Sequence, residues 1–194
     1  MKYYQEITLF PDAEMTTHFL LSKVFAQIHF ALASASLEKS KKQIGISFPQ
    51  YTEKELGKTI RIIAPEKDML EELGMKSQLS RLSDYVHITT CRIIPHNKIR
   101  GYSVYSRYQP DEPVERKARR YVKRHTDVSY EEALQLLKQR KETYTLPYIM
   151  LKSYSSEQHF HLFIQKKSVE KEQEGTFNSY GLSATASVPE FLPK

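Results

Sequence analysis

The chain has 194 residues, of which 40% are hydrophobic, and this length suffices to bury the core of one ordinary domain or two small ones. The formal net charge of +6 favours polyanionic partners, without separating nucleic acid from anionic lipid. A single cysteine, Cys91, excludes an internal disulfide and a multi-cysteine zinc site. No apolar run approaches the roughly 20 residues of a membrane span, and "MKYYQEITLF" lacks a signal-peptide core, so we expect a globular, cytoplasmic protein.

The first half of the chain alternates strand and helix patterns. Its predicted elements are, in order, a strand at 2–10, a helix at 16–34, strands at 44–49 and 58–65, a helix at 66–85 and a strand at 86–95. Thr16 or Thr17 is the predicted N-cap of the first helix, and Gly74 interrupts the second. The order βαββαβ predicts a ferredoxin-like (RRM-like) domain over residues 1–95, with both helices on one face of an antiparallel sheet.

Residues 96–194 have a different texture and are predicted to form a second α+β domain, which makes the whole chain α+β. A tyrosine-rich strand at 99–109 precedes a basic helix, and Ser129 with Glu132 forms a capping box that opens a further helix. Two strands, 148–154 and 159–167, are predicted to form a β-hairpin. One more short extended segment is predicted in the tail.

The basic helix, "ERKARRYVKRH" at 115–125, has two distinct sides on a helical wheel. Val114, Ala118, Tyr121, Val122 and His125 share the side predicted to dock, and the opposite side, called the basic face below, carries Arg116, Arg119, Arg120, Lys123 and Arg124. A solvated amphipathic helix is the ordinary interpretation of such a segment. A membrane-surface helix would need larger apolar residues. A phosphate backbone fits best, since an arginine-rich helix can approach the deep groove of an RNA stem.

Three residues are candidates for chemistry, although each has an ordinary structural interpretation. His29 follows Leu21 and Phe25 at i+4 steps and lies at the edge of the apolar stripe of its helix, where a side chain can point into a cleft. Ser153 lies beside Ser155 in "LKSYSSEQHF", and Tyr180 lies in "SYGLS". The aromatic signature of a single-strand RNA-reading sheet is not present in the strands at 44–49 and 58–65.

Together, "IGISFP", "SRYQ" before the arginine-rich helix, "QHFHLFI", "YGLS" and a histidine near position 30 resemble a known family in their order and spacing. They resemble the CRISPR-associated endoribonucleases that process precursor CRISPR RNA in type I-F systems, over essentially the whole chain. The resemblance implies cleavage at the base of the repeat hairpin without metal, leaving a 2′,3′-cyclic phosphate and a 5′-hydroxyl. It also implies that the product stays bound.

The resemblance also implies a role for individual residues. His29 would be the general base, with a second role as acid left open, Ser153 would hold the 2′-hydroxyl, with Ser155 the weaker candidate, and Tyr180 would orient the imidazole. Phe160 would stack under the terminal base pair, while Arg107 and Gln109 would read a guanine and an adenine edge. The predicted RNA phosphate ligands are the basic face and the residue after it: Arg116, Arg119, Arg120, Lys123, Arg124 and His125.

No cofactor is expected. His159 and His161 alternate on one strand but have no further ligand cluster, so no metal site is predicted. The implied partners are a CRISPR repeat RNA hairpin and the other subunits of a type I-F guide-RNA effector complex, with no membrane. Two alternatives stay open: a non-catalytic hairpin-binding subunit of a ribonucleoprotein complex, and a DNA-binding or membrane-associated basic protein.

Overall fold

The computed structural model describes residues 1–34, 41–109, 114–125, 127–139, 146–153 and 157–192 of the chain. Within these residues it contains five α-helices and nine strands, and the strands form two antiparallel sheets. The predicted α+β class is therefore confirmed.

The first sheet has five strands in the order β2-β3-β1-β4, with β5 pairing to the other end of β1. Its strands are β1 (Tyr3–Leu9), β2 (Gly45–Ser47), β3 (Thr59–Ala64), β4 (Val86–Ile88) and β5 (Arg92–Ile93). The single strand predicted at 86–95 was wrong in its middle. There the Thr89 N–H still donates to the Glu6 carbonyl at 3.0 Å, but the Glu6 N–H donates to the Thr89 hydroxyl at 3.0 Å and Gln5 Nε2 donates to the Thr89 carbonyl at 2.9 Å. Side chains therefore replace part of the regular ladder.

Three helices belong with this sheet: α1 (Thr17–Ala33), α2 (Lys67–Glu72) and α3 (Met75–Gln78). The Thr16 hydroxyl accepts a hydrogen bond from the Phe19 N–H at 3.3 Å, which confirms Thr16 as the N-cap of α1. Gly74, at φ +57°, separates α2 from α3, and a 3₁₀ helix (Ser80–Tyr85) completes the segment predicted as one interrupted helix. α1 packs against β1 and α3, and α2 packs against β1 and β3.

The second sheet has four strands in the order β7-β8-β6-β9. They are β6 (Ile99–Tyr108), β7 (Tyr148–Lys152), β8 (His159–Val169) and β9 (Val188–Phe191). β7 and β8 are the predicted hairpin strands, and their antiparallel register pairs Leu151 with Phe160. Both sheets and α1 contribute to one hydrophobic core, which includes Ile7, Phe25, Leu162 and Phe191.

The chain divides into two compact units, Met1–Tyr108 with Leu146–Lys194, and Gln109–Thr145. The second unit holds α4 (Val114–Val122) and α5 (Tyr130–Gln139), which pack together through buried residues that include Ala118 and Ala133. The capping box forms as predicted: the Ser129 N–H donates to Glu132 at 2.9 Å, and the Glu132 N–H donates to Ser129 at 3.2 Å. The predicted domains, 1–95 and 96–194, have other bounds than these two compact units. The division into those two domains stays a prediction.

No helix in the described part of the chain combines the length and the apolarity that crossing a membrane requires.

Candidate functional site

His29 lies in the last third of α1, half-buried beside the core residues Phe25 and Ile28. Its Nδ1 lies 2.8 Å from the carbonyl oxygen of Ser179, which is 150 residues away in the chain. A carbonyl oxygen can only accept a hydrogen bond, so Nδ1 carries the proton and donates. In the neutral ring this leaves Nε2 as the basic nitrogen.

Tyr180 stacks on the His29 ring, with ring centroids 4.1 Å apart and an interplanar angle of 16°. A tight turn presents both Tyr180 and the Ser179 carbonyl. The Asn178 side-chain oxygen accepts from the Tyr180 N–H at 2.9 Å and from the Leu182 N–H at 3.2 Å. Gly181 takes φ +67° in this turn, and a Cβ there would lie 2.6 Å from the Ile46 side chain. The turn is therefore held both by hydrogen bonds and by close packing on β2.

A cavity of about 280 Å³ brings four of the predicted site residues together. It is lined by Ala26, His29, Leu151, Lys152, Ser153, Phe160 and Tyr180. Ser153 directly follows β7, and its N–H donates to the Gln158 carbonyl at 2.9 Å, which fixes the backbone where the hairpin strands end. Ser155, the weaker candidate for the same role, lies outside the described residues. One cavity thus holds an imidazole, a hydroxyl and two aromatic rings.

Arg107 does not line this cavity, but its guanidinium carbon lies 5.5 Å from the centre of the Phe160 ring. Its side chain is exposed near the end of β6, where Arg107 pairs in register with Ile164. A guanidinium held at an aromatic face keeps its edge donors available to a ligand. Gln109, predicted as the second base reader, is exposed and belongs to the other compact unit.

The basic face of α4 is exposed along its whole length. The helix ends at Val122, earlier than predicted, so Lys123, Arg124 and His125 follow it in a turn. His125 was predicted on the docking side but is exposed, because the chain has left the helix there, and its ring stacks on Tyr121 at 4.3 Å. Within the described residues no cluster of three or more His, Cys, Asp or Glu could hold a metal ion.

Comparisons with known proteins place this chain in a family. The model of the family described as CRISPR-associated protein (Cas_Csy4) matches residues 4–191. The chain belongs to the Cas_Csy4 family. Among the relatives of this family member, "CRISPR-associated endonuclease Cas6/Csy4" of Escherichia coli (strain UTI89 / UPEC) is 34% identical over 193 residues, covering 98% of this chain and all of the relative. The protein of the same name from Pseudomonas aeruginosa (strain UCBPP-PA14) is 35% identical over 195 residues, with the same coverage.

Two contributors to the site of this Cas_Csy4 family member were missed by sequence reasoning. The Ser179 carbonyl fixes the His29 tautomer, and Lys152 adds a cation to the cavity wall. The Asn-Ser-Tyr-Gly stretch at 178–181 carries a turn signature that could have predicted the turn. Its pairing with His29 depends on the tertiary fold, and no local pattern encodes it.

Proposed function

We propose that this chain is an endoribonuclease that binds the stem-loop of CRISPR repeat RNA and cleaves it at the base of the hairpin without a metal ion. The observation that carries the proposal is the cavity that gathers His29, Ser153, Phe160 and Tyr180. The names of the two relatives, both CRISPR-associated endonucleases, support the same activity. The mature guide RNA would stay bound, with the protein as a subunit of a type I-F effector complex.

The proposed reaction starts with proton removal from the 2′-hydroxyl next to the scissile phosphate. His29 Nε2 takes this proton, since Nδ1 is committed to the Ser179 carbonyl. The resulting 2′-oxygen attacks the phosphorus in line. The bond between the 2′-oxygen and phosphorus forms as the bond between phosphorus and the 5′-oxygen breaks. The imidazolium can return its proton to that leaving oxygen. The products are a 2′,3′-cyclic phosphate and a 5′-hydroxyl.

The surrounding side chains would position the substrate. Ser153 holds the reacting 2′-hydroxyl by a hydrogen bond, and Tyr180, stacked at 4.1 Å, limits rotation of the His29 ring. Phe160 stacks under the terminal base pair and so selects the phosphate to be cut. Arg107, supported on the Phe160 ring, reads a guanine edge, and Gln109 reads an adenine edge.

The basic face of α4, together with His125, would bind phosphates of the RNA stem. Its five side chains are exposed and of one sign, which suits a polyanion. Single-charge contacts of this kind recognise the shape of the stem more than its sequence.

The first 95 residues are proposed to form a ferredoxin-like domain that serves as the scaffold for His29. The strand order β2-β3-β1-β4 and the placement of α1 after β1 and of α2 after β3 support this arrangement.

Incubating the protein with a labelled repeat hairpin in excess EDTA tests the proposal. We expect cleavage by the unaltered chain and a 2′,3′-cyclic phosphate end on the upstream product. His29→Ala should abolish cleavage while hairpin affinity stays within a few fold, because the imidazole transfers a proton and makes no phosphate contact. A strict requirement for a divalent ion, or an equal loss of binding and cleavage in His29→Ala, would contradict the mechanism. Binding without cleavage by the unaltered chain would support the non-catalytic subunit instead.

A further inference from the structure

A second cavity, of about 310 Å³, lies between the first turns of α1, the loop at 54–58 and the start of β7. We call it the α1 N-terminal cavity and define it by Leu21, Leu56, Pro147, Lys54 and Lys58, which all line it. The proposed cleavage chemistry uses none of these residues. The volume lies at the lower end of the range for binding pockets, so the cavity has room for one or two large side chains and not for a large cofactor.

The floor of this cavity is apolar and its rim is charged. Leu21, Leu56 and Pro147 are buried and carry no polar side-chain atom. Lys54 and Lys58 are exposed, and within the described part of the chain their ammonium groups form no ion pair. A pocket for a small molecule needs polar groups placed inside it to orient the ligand, whereas an apolar centre inside a polar rim is typical of a protein–protein interface. The cavity therefore has the form of a docking site for a protein segment.

The loop that carries the two lysines is held in place before any partner arrives. The Lys58 N–H donates to the Gln50 side-chain oxygen at 2.7 Å, and the Thr52 hydroxyl accepts from the Lys54 N–H at 3.3 Å. Gly57 takes φ +83° between the two lysines, and a Cβ there would collide with the Gln50 side chain. A loop fixed in this way loses little conformational entropy on binding.

The charge of the rim indicates the chemistry of the partner. Lys54 and Lys58 carry two positive charges and Glu55, between them in the chain, carries one negative charge, so positive charge is in excess. Thr17 and His18 also line the cavity, and their N–H groups lie at the positive end of the α1 dipole, where the helix offers them no carbonyl partner. Asp or Glu side chains are complementary to such a rim. A second copy of this chain fits less well, because its formal net charge is also +6.

We propose that the α1 N-terminal cavity docks another protein subunit of the effector complex, through a segment in which a large apolar side chain lies next to an Asp or Glu. The inference rests on the proposed function, in which the chain stays in such a complex. The apolar side chain fills the cavity above Leu21 and Leu56, and the carboxylate pairs with Lys54 or Lys58.

The position of the cavity allows protein and RNA to be bound together. His18, in its wall, lies eleven helical residues before His29, which is about 16 Å along the axis of α1. A segment docked at the start of the helix therefore leaves the cavity of His29 free for the scissile nucleotide.

Zero-length crosslinking tests the proposed chemistry. A carbodiimide joins a lysine amine directly to a carboxylate that forms an ion pair with it. The complex is assembled from this chain, the hairpin-bearing guide RNA and the other effector subunits of the same organism, and the crosslinked peptides are identified by mass spectrometry. We expect Lys54 or Lys58 to be joined to an Asp or Glu of another subunit that has a large apolar residue within two positions. Crosslinks of these lysines confined to carboxylates of this chain would contradict the proposal.

Assembly kinetics provide the second test. The double variant K54Q/K58Q should join the complex roughly fivefold or more slowly at low ionic strength, and the difference should shrink as salt is added, because charges at a rim act mainly on the association rate. The matched control K76Q/K171Q removes two charges from exposed lysines outside the cavity and should assemble at the unaltered rate.

Thr17→Phe tests the apolar anchor, since Thr17 lines the cavity and a ring at this position competes with the docked side chain. Dissociation of the complex should accelerate by about tenfold or more with little dependence on salt, because a blocked central contact acts mainly on the dissociation rate. An unchanged Tm of the isolated variant shows that it folds. Hairpin affinity and cleavage rate should stay within twofold of the unaltered chain in Thr17→Phe and in K54Q/K58Q.

Unchanged assembly and dissociation in both K54Q/K58Q and Thr17→Phe would overturn this inference while leaving the proposed cleavage intact. A loss of hairpin affinity in K54Q/K58Q that the control K76Q/K171Q does not show would place RNA on these lysines and would also overturn it. Failure of the unaltered chain to bind or cleave the hairpin would instead overturn the proposed function.

Discussion

Arg61 provides the sharpest test of how the two sheets are held together. Its side chain is fully buried on β3, and Nε and Nη2 donate to Glu6 on β1 at 2.9 and 2.7 Å. Nη2 also donates to the Phe191 carbonyl on β9 at 3.2 Å, and the guanidinium carbon lies 3.8 Å from the Phe191 ring centre. One cation therefore joins a strand of the second sheet to two strands of the first.

Arg61→Met should lower the free energy of unfolding by about 3 to 5 kcal/mol, because it leaves the Glu6 carboxylate buried without its cation. For a unit of this size the loss corresponds to a fall in Tm of roughly 6 to 20 °C. The double variant Glu6→Leu with Arg61→Met should recover at least about 1 kcal/mol relative to Arg61→Met alone, since it removes the orphaned charge as well.

Urea unfolding measures the free energy of unfolding and thermal unfolding measures Tm, both followed by circular dichroism. Lys67→Met is the control. Lys67 forms an ion pair with Glu71 in which both side chains are about half exposed, 51% and 52%, and its loss should leave Tm unchanged within error. The reasoning is refuted if Arg61→Met costs less than about 1 kcal/mol, or if the double variant is no more stable than Arg61→Met alone.

Three further predictions concern the turn, the basic face and the capping box. Asn178→Ala should reduce the cleavage rate in single-turnover assays while hairpin affinity is kept, because the turn at Ser179 and Tyr180 loses two hydrogen bonds that the Asn178 side-chain oxygen accepts. Asn178→Asp keeps an acceptor oxygen and should restore most of the rate. Arg119→Gln should lower the log–log salt slope of hairpin binding by somewhat less than one and weaken the binding of matched and base-swapped hairpins equally. Arg107→Ala should weaken binding by about 1 to 3 kcal/mol only when the stem carries the guanine that Arg107 is proposed to read. Hydrogen bonds from the Ser129 backbone and then its side chain hold the pKa of the Glu132 carboxyl below its usual value, so its stabilising effect is present above the unfolded pKa and is lost as pH falls through the lower folded pKa. The difference in Tm between the unaltered chain and Glu132→Gln should therefore shrink progressively as pH falls below the unfolded pKa of about 4.3, and a difference that stays constant on acidification would contradict this account.

Local patterns predicted the elements that local interactions define. The predicted helix at 16–34 differs from α1 by one residue at each end, because the apolar repeat and the Thr16 cap both act within a few residues. The capping box at Ser129 was predicted for the same reason. The strand predicted at 86–95 is interrupted at Thr89, where hydrogen bonds with the Gln5 side chain and from the Glu6 N–H to the Thr89 hydroxyl replace part of the pairing with β1. These contacts depend on the tertiary fold and have no local pattern.

Side chains of the candidate site could be predicted from the sequence, but its backbone contact could not. Helical periodicity indicated that His29 lies at the edge of an apolar stripe, and the resemblance to a family supplied Ser153, Phe160 and Tyr180. The Ser179 carbonyl could not be predicted, since a backbone oxygen has no sequence signature and reaches His29 only through tertiary packing.

The proposed cleavage site and the proposed stem-binding residues lie in different compact units of the fold, so their structural requirements can be separated. His29 comes from a helix on the first sheet, Ser153 and Phe160 come from the second sheet, and the turn of Tyr180 packs on β2 through Gly181. The cleavage geometry therefore depends on the shared core and on links such as Arg61. The basic face belongs to a different compact unit, with its own helix pair and its own capping box. Because residues without shared partners contribute additively, losses from Arg119→Gln in binding and from His29→Ala in cleavage should combine without coupling. A substitution in the shared core, in contrast, should reduce cleavage before it affects the phosphate contacts that we propose for α4.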